Sequence, residues 1–198
     1  REYPAAILFC GATDLALRVT KRKEFLKELI DLNGVEEIQQ IKETKNSMVI
    51  GAGVNLEKIK SKCKKQFPEL HAALAVFGSK QIRELATLGG NLGSASPIGD
   101  MAPILMAYNA SVTVAGKDGE RKISAIEFIT GYRKTKMRPH EIIKEVYIPK
   151  VKKDVKVKFY KISKRKDLDI STVSGGFNLK LNPDGKVASI CLVYGGMA

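Results

Sequence analysis

The sequence predicts an α+β fold in which hairpin-paired strands predominate and a few helices lie beside them. Two stretches alternate apolar and polar residues on both sides of a glycine-containing turn: "ASVTVAG-KDGE-RKISA" at 110–125 and "TVSGGFNLKL-NPDG-KVASICLVYGG" at 172–196. Both patterns are typical of a β-hairpin. A third observation is the stretch 55–67, where apolar residues recur at helical spacing behind a capping residue.

The N-terminal stretch predicts strands. The apolar run "AAILFC" (5–10) ends at a glycine and is typical of a buried strand. "KELIDL" (27–32) predicts a second buried strand, followed by an Asn-Gly turn. Residues 38–53, "IQQIKETKNSMVIGAG", predict two strands around a polar turn at 45–47.

Helices are predicted after this region. Asn55 is a predicted N-cap for a helix over 56–67. One face of that helix carries three apolar residues: Leu56, Ile59 and Cys63. Pro68 is expected to open the next helix, "PELHAALAVFG" (68–78).

The polar segment 86–96 predicts a loop, and Pro97 predicts the start of another helix, "IGDMAPILMAY", whose N-terminus is aimed at that loop. Further along, "EIIKEVYIP" (141–149) and "VKVKFYKIS" (155–163) alternate like half-exposed strands. A proline and a lysine cluster separate the two.

Length and composition indicate an ordinary globular protein. The chain has 198 residues, of which 44% are hydrophobic and 28% charged. No apolar run approaches the roughly 18–20 residues that span a bilayer, and the start does not resemble a signal peptide. Because the sequence begins with Arg1 and ends on "YGGMA" directly after an apolar stretch, we expect it to be a fragment of a longer chain.

The cysteines and histidines predict no metal site. Cys10, Cys63 and Cys191 lie far apart without a CxxC pair, which excludes a zinc or iron–sulfur site built from this chain alone. They are predicted to be buried free thiols in a reducing compartment, the cytoplasm. His71 and His140 are predicted to be surface residues rather than ligands.

The net charge of +13 is concentrated in one stretch. Between residues 133 and 166 there are fourteen Lys and Arg against three acids, so this stretch carries +11. A basic nucleic-acid-binding surface is one interpretation. Aromatic residues in this stretch are few, and Tyr147 and Phe159, for example, stand at alternating strand positions rather than on a stacking platform. This favours a solvated face, a site for an anionic small molecule, or contact with an acidic partner subunit.

Two glycine-rich segments predict a binding site. "CGATD" (10–14) leaves a strand and "TLGGNLGSAS" (87–96) leads into a helix. Glycines let backbone N–H groups face one concave space, and a helix N-terminus adds unpaired donors. Neutral side chains would add hydrogen bonds: Thr13, Thr87, Asn91, Ser94 and Ser96. Two such segments suit the diphosphate of a dinucleotide, whereas each alone is equally explained as a tight turn.

Two common nucleotide motifs are missing. The sequence has neither GxGxxG after the first strand nor GxxxxGK[ST]. A doubly wound nicotinamide domain and a P-loop enzyme are therefore disfavoured.

Six motifs, in order, resemble the flavin domain of the molybdenum hydroxylases, which include xanthine dehydrogenases, aldehyde oxidases and carbon monoxide dehydrogenases. The motifs are "CGATDL", "TLGGNLGSASPIGDMAPILMA", "GYRK", "EIIKEVYIP", "YKISKRKDLDIS" and "YGGMA". Ala12 stands where that family usually has a second glycine or an asparagine. The resemblance implies a vanillyl-alcohol-oxidase-like (PCMH-type) FAD-binding fold: an N-terminal lobe (1–54), a second lobe with an antiparallel sheet (55–157) and the beginning of a truncated C-terminal subdomain (158–198).

The resemblance also implies a set of FAD-binding residues. Residues 8–15 would line the diphosphate and ribityl chain, and 87–91 with Ser94 would hold the other side. Asp100 would accept hydrogen bonds from the adenosine ribose, Phe77 would pack on the adenine, Ile143 would flank the isoalloxazine, and Lys161 would lie near its redox-active edge. The full set is Leu8, Phe9, Cys10, Gly11, Ala12, Thr13, Asp14, Leu15, Phe77, Thr87, Leu88, Gly89, Gly90, Asn91, Ser94, Asp100, Ile143 and Lys161.

The function implied is electron transfer without a catalytic acid or base on this chain. By resemblance, FAD passes electrons from iron–sulfur clusters on a partner to NAD⁺ or oxygen. The molybdenum cofactor and the [2Fe-2S] clusters would lie on partner domains or subunits, with no nucleic-acid or membrane partner. Two alternatives stay open: a stand-alone FAD-dependent reductase of the same fold, similar to the cell-wall enolpyruvyl reductases, and a basic non-enzymatic nucleic-acid-binding domain.

Overall fold

The computed structural model describes residue 3 and residues 5–197. At the N-terminal end, β1 (Ile7–Phe9) pairs in parallel with β2 (Leu29–Asp31), and the short helix α1 (Ala16–Thr20) lies between them in the chain. The two predicted strands therefore exist, but the prediction that they are buried is wrong. All three residues of β2 are exposed, because β2 pairs only with β1 and no other described element covers it. Helix α1 was not predicted.

A five-stranded antiparallel sheet forms the centre of the molecule, in the order β3-β4-β9-β5-β6. Its strands are β3 (Ile41–Glu43), β4 (Ser47–Gly51), β5 (Ser111–Gly116), β6 (Gly119–Ser124) and β9 (Ile142–Pro149). This confirms the hairpin predicted at 110–125 and the two strands predicted within 38–53. Val146, in the central strand, is opposite Ile50 on one side and Val112 on the other, and all three are fully buried.

Six helices cover or flank this sheet. They are α2 (Leu56–Cys63), α3 (Pro68–Ala75), α4 (Lys80–Leu85), α5 (Leu88–Gly93), α6 (Met101–Ala107) and α7 (Ala125–Phe128). The Asn55 side chain accepts a hydrogen bond from the Lys58 amide at 2.8 Å, which confirms the N-cap. Pro68 is the first residue of α3, as predicted. The helix predicted over 56–67 is shorter, ending at Cys63.

The core lies between the five-stranded sheet and helices α2, α3 and α6. The predicted apolar face of α2 is completely buried there, with Leu56, Ile59 and Cys63 at most 1% exposed. Phe67 and Tyr108 meet edge to face, with their ring centroids 5.4 Å apart. Burial raises the pKa of the Cys63 thiol to about 12, so this thiol is unreactive at neutral pH.

The third sheet is an antiparallel meander of β10 (Val155–Ile162), β11 (Val173–Leu181) and β12 (Val187–Gly195), which confirms the second predicted hairpin. It packs closely on α6, because a Cβ on Gly176 would lie 2.1 Å from the Pro103 carbonyl oxygen. The Asn178 side chain donates to the Ala107 carbonyl at 2.7 Å. A carboxylate oxygen of Glu69 accepts the Phe159 amide at 3.1 Å, so α3 caps the edge strand.

A small ribbon of β7 (Ile129–Gly131) and β8 (Lys134–Thr135) carries the "GYRK" motif. Of the three cysteines, all are free as predicted, but only Cys63 is buried. His140 is exposed as predicted, whereas His71 is half-buried, with its Nδ1 2.9 Å from the Lys60 carbonyl oxygen. Among the described residues, no three His, Cys, Asp or Glu side chains lie close enough to hold a metal ion, and no helix is long and apolar enough to cross a membrane.

We expect Asn55→Ala to lower the free energy of unfolding by about 1 kcal/mol, because the Lys58 amide at the start of α2 loses its acceptor. Urea denaturation followed by circular dichroism measures this. Asn182→Ala is the control, since the Asn182 side chain makes no hydrogen bond within the described part of the chain. An equal loss in both variants would contradict the capping role.

Candidate functional site

The two glycine-rich segments lie against each other. A Cβ on Gly11 would lie 2.0 Å from the Leu85 carbonyl oxygen and 3.3 Å from the Thr87 methyl carbon. A Cβ on Gly90 would lie 3.7 Å from the Cys10 carbonyl oxygen. The end of β1 therefore contacts the start of α5, although more than 70 residues separate them in the sequence. The two segments are therefore adjacent, as the prediction requires, and that they hold one ligand stays a prediction.

A cavity of about 310 Å³ opens where the segments meet. Four residues of the predicted FAD-binding set line this cavity: Phe9, Gly11, Ala12 and Thr87. Polar residues that sequence reasoning missed line the rest: Asn33, Gln39, Asn55, Lys58 and Glu84. Asn33 and Gln39 both reach the Cys10 sulfur, at 3.1 Å and 3.8 Å. No local pattern marks these residues, because they come together only when β2 and α2 pack beside the first segment.

The first segment presents open backbone donors. Gly11 and Ala12 both have left-handed backbone angles, with φ of 74° and 56°. The Ala12 amide donates to the Cys10 carbonyl at 2.9 Å, whereas the N–H groups of Gly11, Thr13 and Asp14 have no acceptor within the described residues. Alanine tolerates this conformation at a cost of about 1–2 kcal/mol. Unsatisfied amides beside a cavity are suited to bind an anion.

The second segment is a helix rather than the predicted loop, and its amides are already used. Thr87 is the N-cap of α5, and its hydroxyl oxygen accepts the Gly90 amide at 3.1 Å. The amides of Leu88, Gly89 and Asn91 donate to the carbonyls of Val54, Ala52 and Thr87. The expectation that amides of 88–91 hold a diphosphate is therefore corrected, because each already donates within the protein.

The remaining groups of the second segment have different roles. Gly89 serves packing, since a Cβ there would lie 2.6 Å from the Ala52 Cβ. The Ser94 hydroxyl donates to the Asn91 carbonyl at 2.8 Å. The Asn91 side-chain amide has no partner within the described chain. The segment therefore offers ligands the Thr87 hydroxyl and the Asn91 side chain.

Three predicted residues form a second group around a buried ion pair. Lys161 Nζ lies 2.8 Å from Asp100 Oδ2, and the two side chains are 9% and 5% exposed. The same ammonium group donates to the Val76 carbonyl at 3.3 Å, next to half-buried Phe77. Ser171, which sequence reasoning missed, donates to the other Asp100 oxygen. Lys161 is therefore held inside the protein and is not a solvated charge.

This ion pair makes two of the expected roles incompatible with each other. The resemblance placed Asp100 at the adenosine ribose and Lys161 at the isoalloxazine, which are opposite ends of FAD. Since the two side chains are in direct contact, they act at the same part of any ligand. Both roles cannot hold for a cofactor bound in an extended conformation.

The other predicted residues lie at the edges of these two groups. Ile143, in β9, is buried in the core, 3.6 Å from the position of a Cβ on Gly93. Leu8 is exposed in β1, and Leu15 is half-buried at the start of α1. Asp14 forms an ion pair with Arg133 at 3.4 Å, so the ribbon of the "GYRK" motif contacts the first glycine-rich segment.

Half of the cations in the basic stretch 133–166 are paired with carboxylates. Seven of its fourteen cations form ion pairs with carboxylates: Arg133, Lys136, Lys144, Lys150, Lys158, Lys161 and Arg165. The stretch also runs through β8, β9 and β10, which belong to three different sheets. This favours the interpretation of a solvated, paired surface over a nucleic-acid-binding one.

We expect Gly11→Ala to separate the first segment from α4, because its Cβ would overlap the Leu85 carbonyl oxygen. The affinity for FAD should fall at least about tenfold, the equivalent of one lost hydrogen bond to a charged group. Fluorescence titration with FAD measures this. Gly34→Ala is the matched control, since nothing lies within 4 Å of its Cβ position. Equal affinities in the two variants would contradict the close approach.

Comparison with known proteins identifies the family. Residues 1–151 match the family described as "FAD binding domain in molybdopterin dehydrogenase", and residues 158–198 match "CO dehydrogenase flavoprotein C-terminal domain". The chain is 35% identical to the xanthine dehydrogenase of Drosophila pseudoobscura pseudoobscura over 215 residues, covering 100% of this chain and 16% of that protein. It is 31% identical to a nicotinate hydroxylase of Emericella nidulans, with the same coverage of both.

Solved structures agree with this match. The carbon monoxide dehydrogenase from Hydrogenophaga pseudoflava superimposes with a TM-score of 0.90 at 25% identity, over 98% of this chain and 67% of that chain. Quinoline 2-oxidoreductase from Pseudomonas putida 86 gives a TM-score of 0.87 at 25% identity, over 98% and 68%. The chain spans 16% of the length of the two curated relatives, the xanthine dehydrogenase and the nicotinate hydroxylase. It belongs to the family of FAD-binding domains of molybdopterin dehydrogenases and has their PCMH-type FAD-binding fold.

Proposed function

We propose that this chain is the FAD-binding electron-transfer part of a molybdenum hydroxylase, receiving electrons from iron–sulfur clusters on a partner and passing them to NAD⁺ or oxygen. One observation carries the proposal: the two glycine-rich segments meet over a single cavity. FAD supplies the exchange of electrons, and the protein binds and orients it. The xanthine dehydrogenase match supports this general class of oxidoreductase.

The residues around the cavity fit a dinucleotide. The free amides of Gly11, Thr13 and Asp14 are suited to bind the diphosphate, and the missing Cβ of Gly11 permits its backbone to approach closely. Lys58 lines the same cavity and supplies a positive charge. Thr87 also lines this cavity, and its hydroxyl, whose oxygen accepts the Gly90 amide, keeps a proton that it can donate to a phosphate oxygen.

We propose that Phe77, Asp100 and Lys161 lie together at the isoalloxazine, which keeps the expected place of Lys161 and moves Phe77 and Asp100 from the adenosine end of FAD. The Lys161 ammonium bonds both the Asp100 carboxylate and the Val76 carbonyl, so these three residues act as one unit. Half-buried Phe77 has part of its ring available, and packing on an aromatic system contributes about 0.5–1.5 kcal/mol beyond the area it buries. Ile143 as a further contact of the ring stays a prediction.

The remaining machinery is proposed to lie outside this chain. The relatives are about six times as long, which leaves room for domains that hold a molybdenum cofactor and [2Fe-2S] clusters. We propose the division 1–54, 55–157 and 158–198, in which β3 and β4 complete the sheet of the second part. We propose a cytoplasmic location, which the free cysteines among the described residues support.

Lys161 and the segment 162–171 that follows it are proposed to influence access of the electron acceptor and the flavin potential. Most of it is exposed, including Ile162, Leu168 and Ile170. It is basic, and its Arg165 is held by Asp169 at 3.1 Å. Positive charge beside the ion pair of Lys161 suits the phosphates of NAD⁺.

We expect the purified full-length protein to show flavin absorption bands. The amount of FAD released on denaturation should correspond to one FAD per copy of this chain. The measurement is an absorbance scan before and after addition of FAD. A protein that neither retains nor takes up FAD, while staying folded by circular dichroism, would overturn the proposed function.

We expect opposite shifts of the flavin reduction potential from the two halves of the ion pair. Asp100→Asn leaves the Lys161 cation uncompensated and should raise the potential, whereas Lys161→Met leaves the carboxylate and should lower it. Each change should also cost about 3–5 kcal/mol of unfolding free energy, because it leaves one buried charge unpaired. Potentiometric titration measures the shifts, and the double variant should return close to the wild type. Unchanged potentials, or shifts in one direction, would contradict the assignment.

A further inference from the structure

Three consecutive carbonyls after helix α3 accept hydrogen bonds from two buried cations. Lys161 donates to the Val76 carbonyl at 3.3 Å. Arg83, in α4, donates through Nη1 to the Phe77 carbonyl at 2.9 Å and the Gly78 carbonyl at 3.0 Å. The turn that carries Phe77 is therefore held at each of its carbonyls.

Arg83 is compensated by a carboxylate from a third helix. Its Nε lies 2.5 Å from Glu57 Oε2 in α2, and the two side chains are 7% and 18% exposed. The hydrogen bond from Arg83 lowers the pKa of Glu57, so the carboxylate is charged at neutral pH. The guanidinium thereby joins α2, α4 and the turn after α3.

The chemistry of arginine suits this arrangement. Its planar group presents donors in fixed directions, so one side chain reaches two carbonyls and a carboxylate at once. Lysine has a single compact charge and cannot reproduce this fork. The carbonyls of this turn need such partners, because the segment 76–78 is outside any helix and has no helical hydrogen bonds to satisfy them.

We propose that Arg83, held by Glu57, is a positioning residue for Phe77 and sets the place of its ring against the isoalloxazine. This inference rests on the proposed function, since the ring matters only if FAD binds. Arg83 and Glu57 have no assigned contact with the cofactor. They act through the backbone of the Phe77 turn.

Hydrogen exchange tests the positioning without FAD. In the full-length protein, Arg83→Gln should speed exchange in peptides covering 76–79 at least about tenfold, since it removes charge-assisted bonds to two carbonyls. Arg121→Gln is the matched control. Arg121 also bonds a carboxylate, that of Glu141, and a carbonyl, that of Lys136, but it does not contact this turn. Arg83→Lys is the second variant if Arg83→Gln does not fold, and it should show the same change.

FAD binding and the visible circular dichroism of the bound flavin give the second readout. Arg83→Gln should weaken FAD binding about tenfold and change the dichroism, whereas Arg121→Gln should do neither. In a Phe77→Ala background, the Arg83 substitution should add little, because its effect is exerted through that ring. Two results would overturn the inference. One is that the losses in FAD affinity of the Arg83 and Phe77 substitutions add fully, and the other is that peptides covering 76–79 exchange at the same rate in Arg83→Gln and Arg121→Gln. Absence of FAD binding in the wild type would instead overturn the proposed function, and it is seen before any variant is made.

Discussion

The close approach of the Gly11 backbone to the Leu85 carbonyl is the constraint on which the site depends. Among the described residues before Ile38, none is buried, so β1, α1 and β2 have no core of their own. They are held to the rest by backbone contact at Gly11, by the Cys10 sulfur near the Gly53 carbonyl, and by the Asp14–Arg133 ion pair. A side chain at position 11 would occupy the space where the two parts touch.

The two glycine-rich segments divide the work between them. The amides of the second segment donate hydrogen bonds to the carbonyls of Ala52 and Val54 and to the Thr87 side chain, and these bonds fix the position of α5. The first leaves the amides of Gly11, Thr13 and Asp14 without acceptors among the described residues, and its Gly11 and Ala12 line the cavity. A hydrogen-bonded helix beside a segment with free N–H donors can hold a ligand in one position with little reorganisation.

Charge around the turn that carries Phe77 is organised as two neutral pairs. Asp100–Lys161 and Glu57–Arg83 are both largely removed from water, and both cations also bond carbonyls of the turn that carries Phe77. A buried charge is tolerated only when it is paired and hydrogen-bonded. The excess of positive charge lies outside, where solvent and salt screen it, and where isolated ion pairs contribute little stability.

Local features of this protein can be predicted from its residues alone. Hairpins follow from alternation around glycine turns, the Asn55 cap from its side-chain acceptor, and the place of the candidate site from two glycine-rich segments and their family resemblance. Other features appear only in the folded chain: which amides stay free, the exposure of β2, and the ion pair of Asp100 and Lys161, which are 61 positions apart. These depend on contacts between distant segments, which no local pattern of residues encodes.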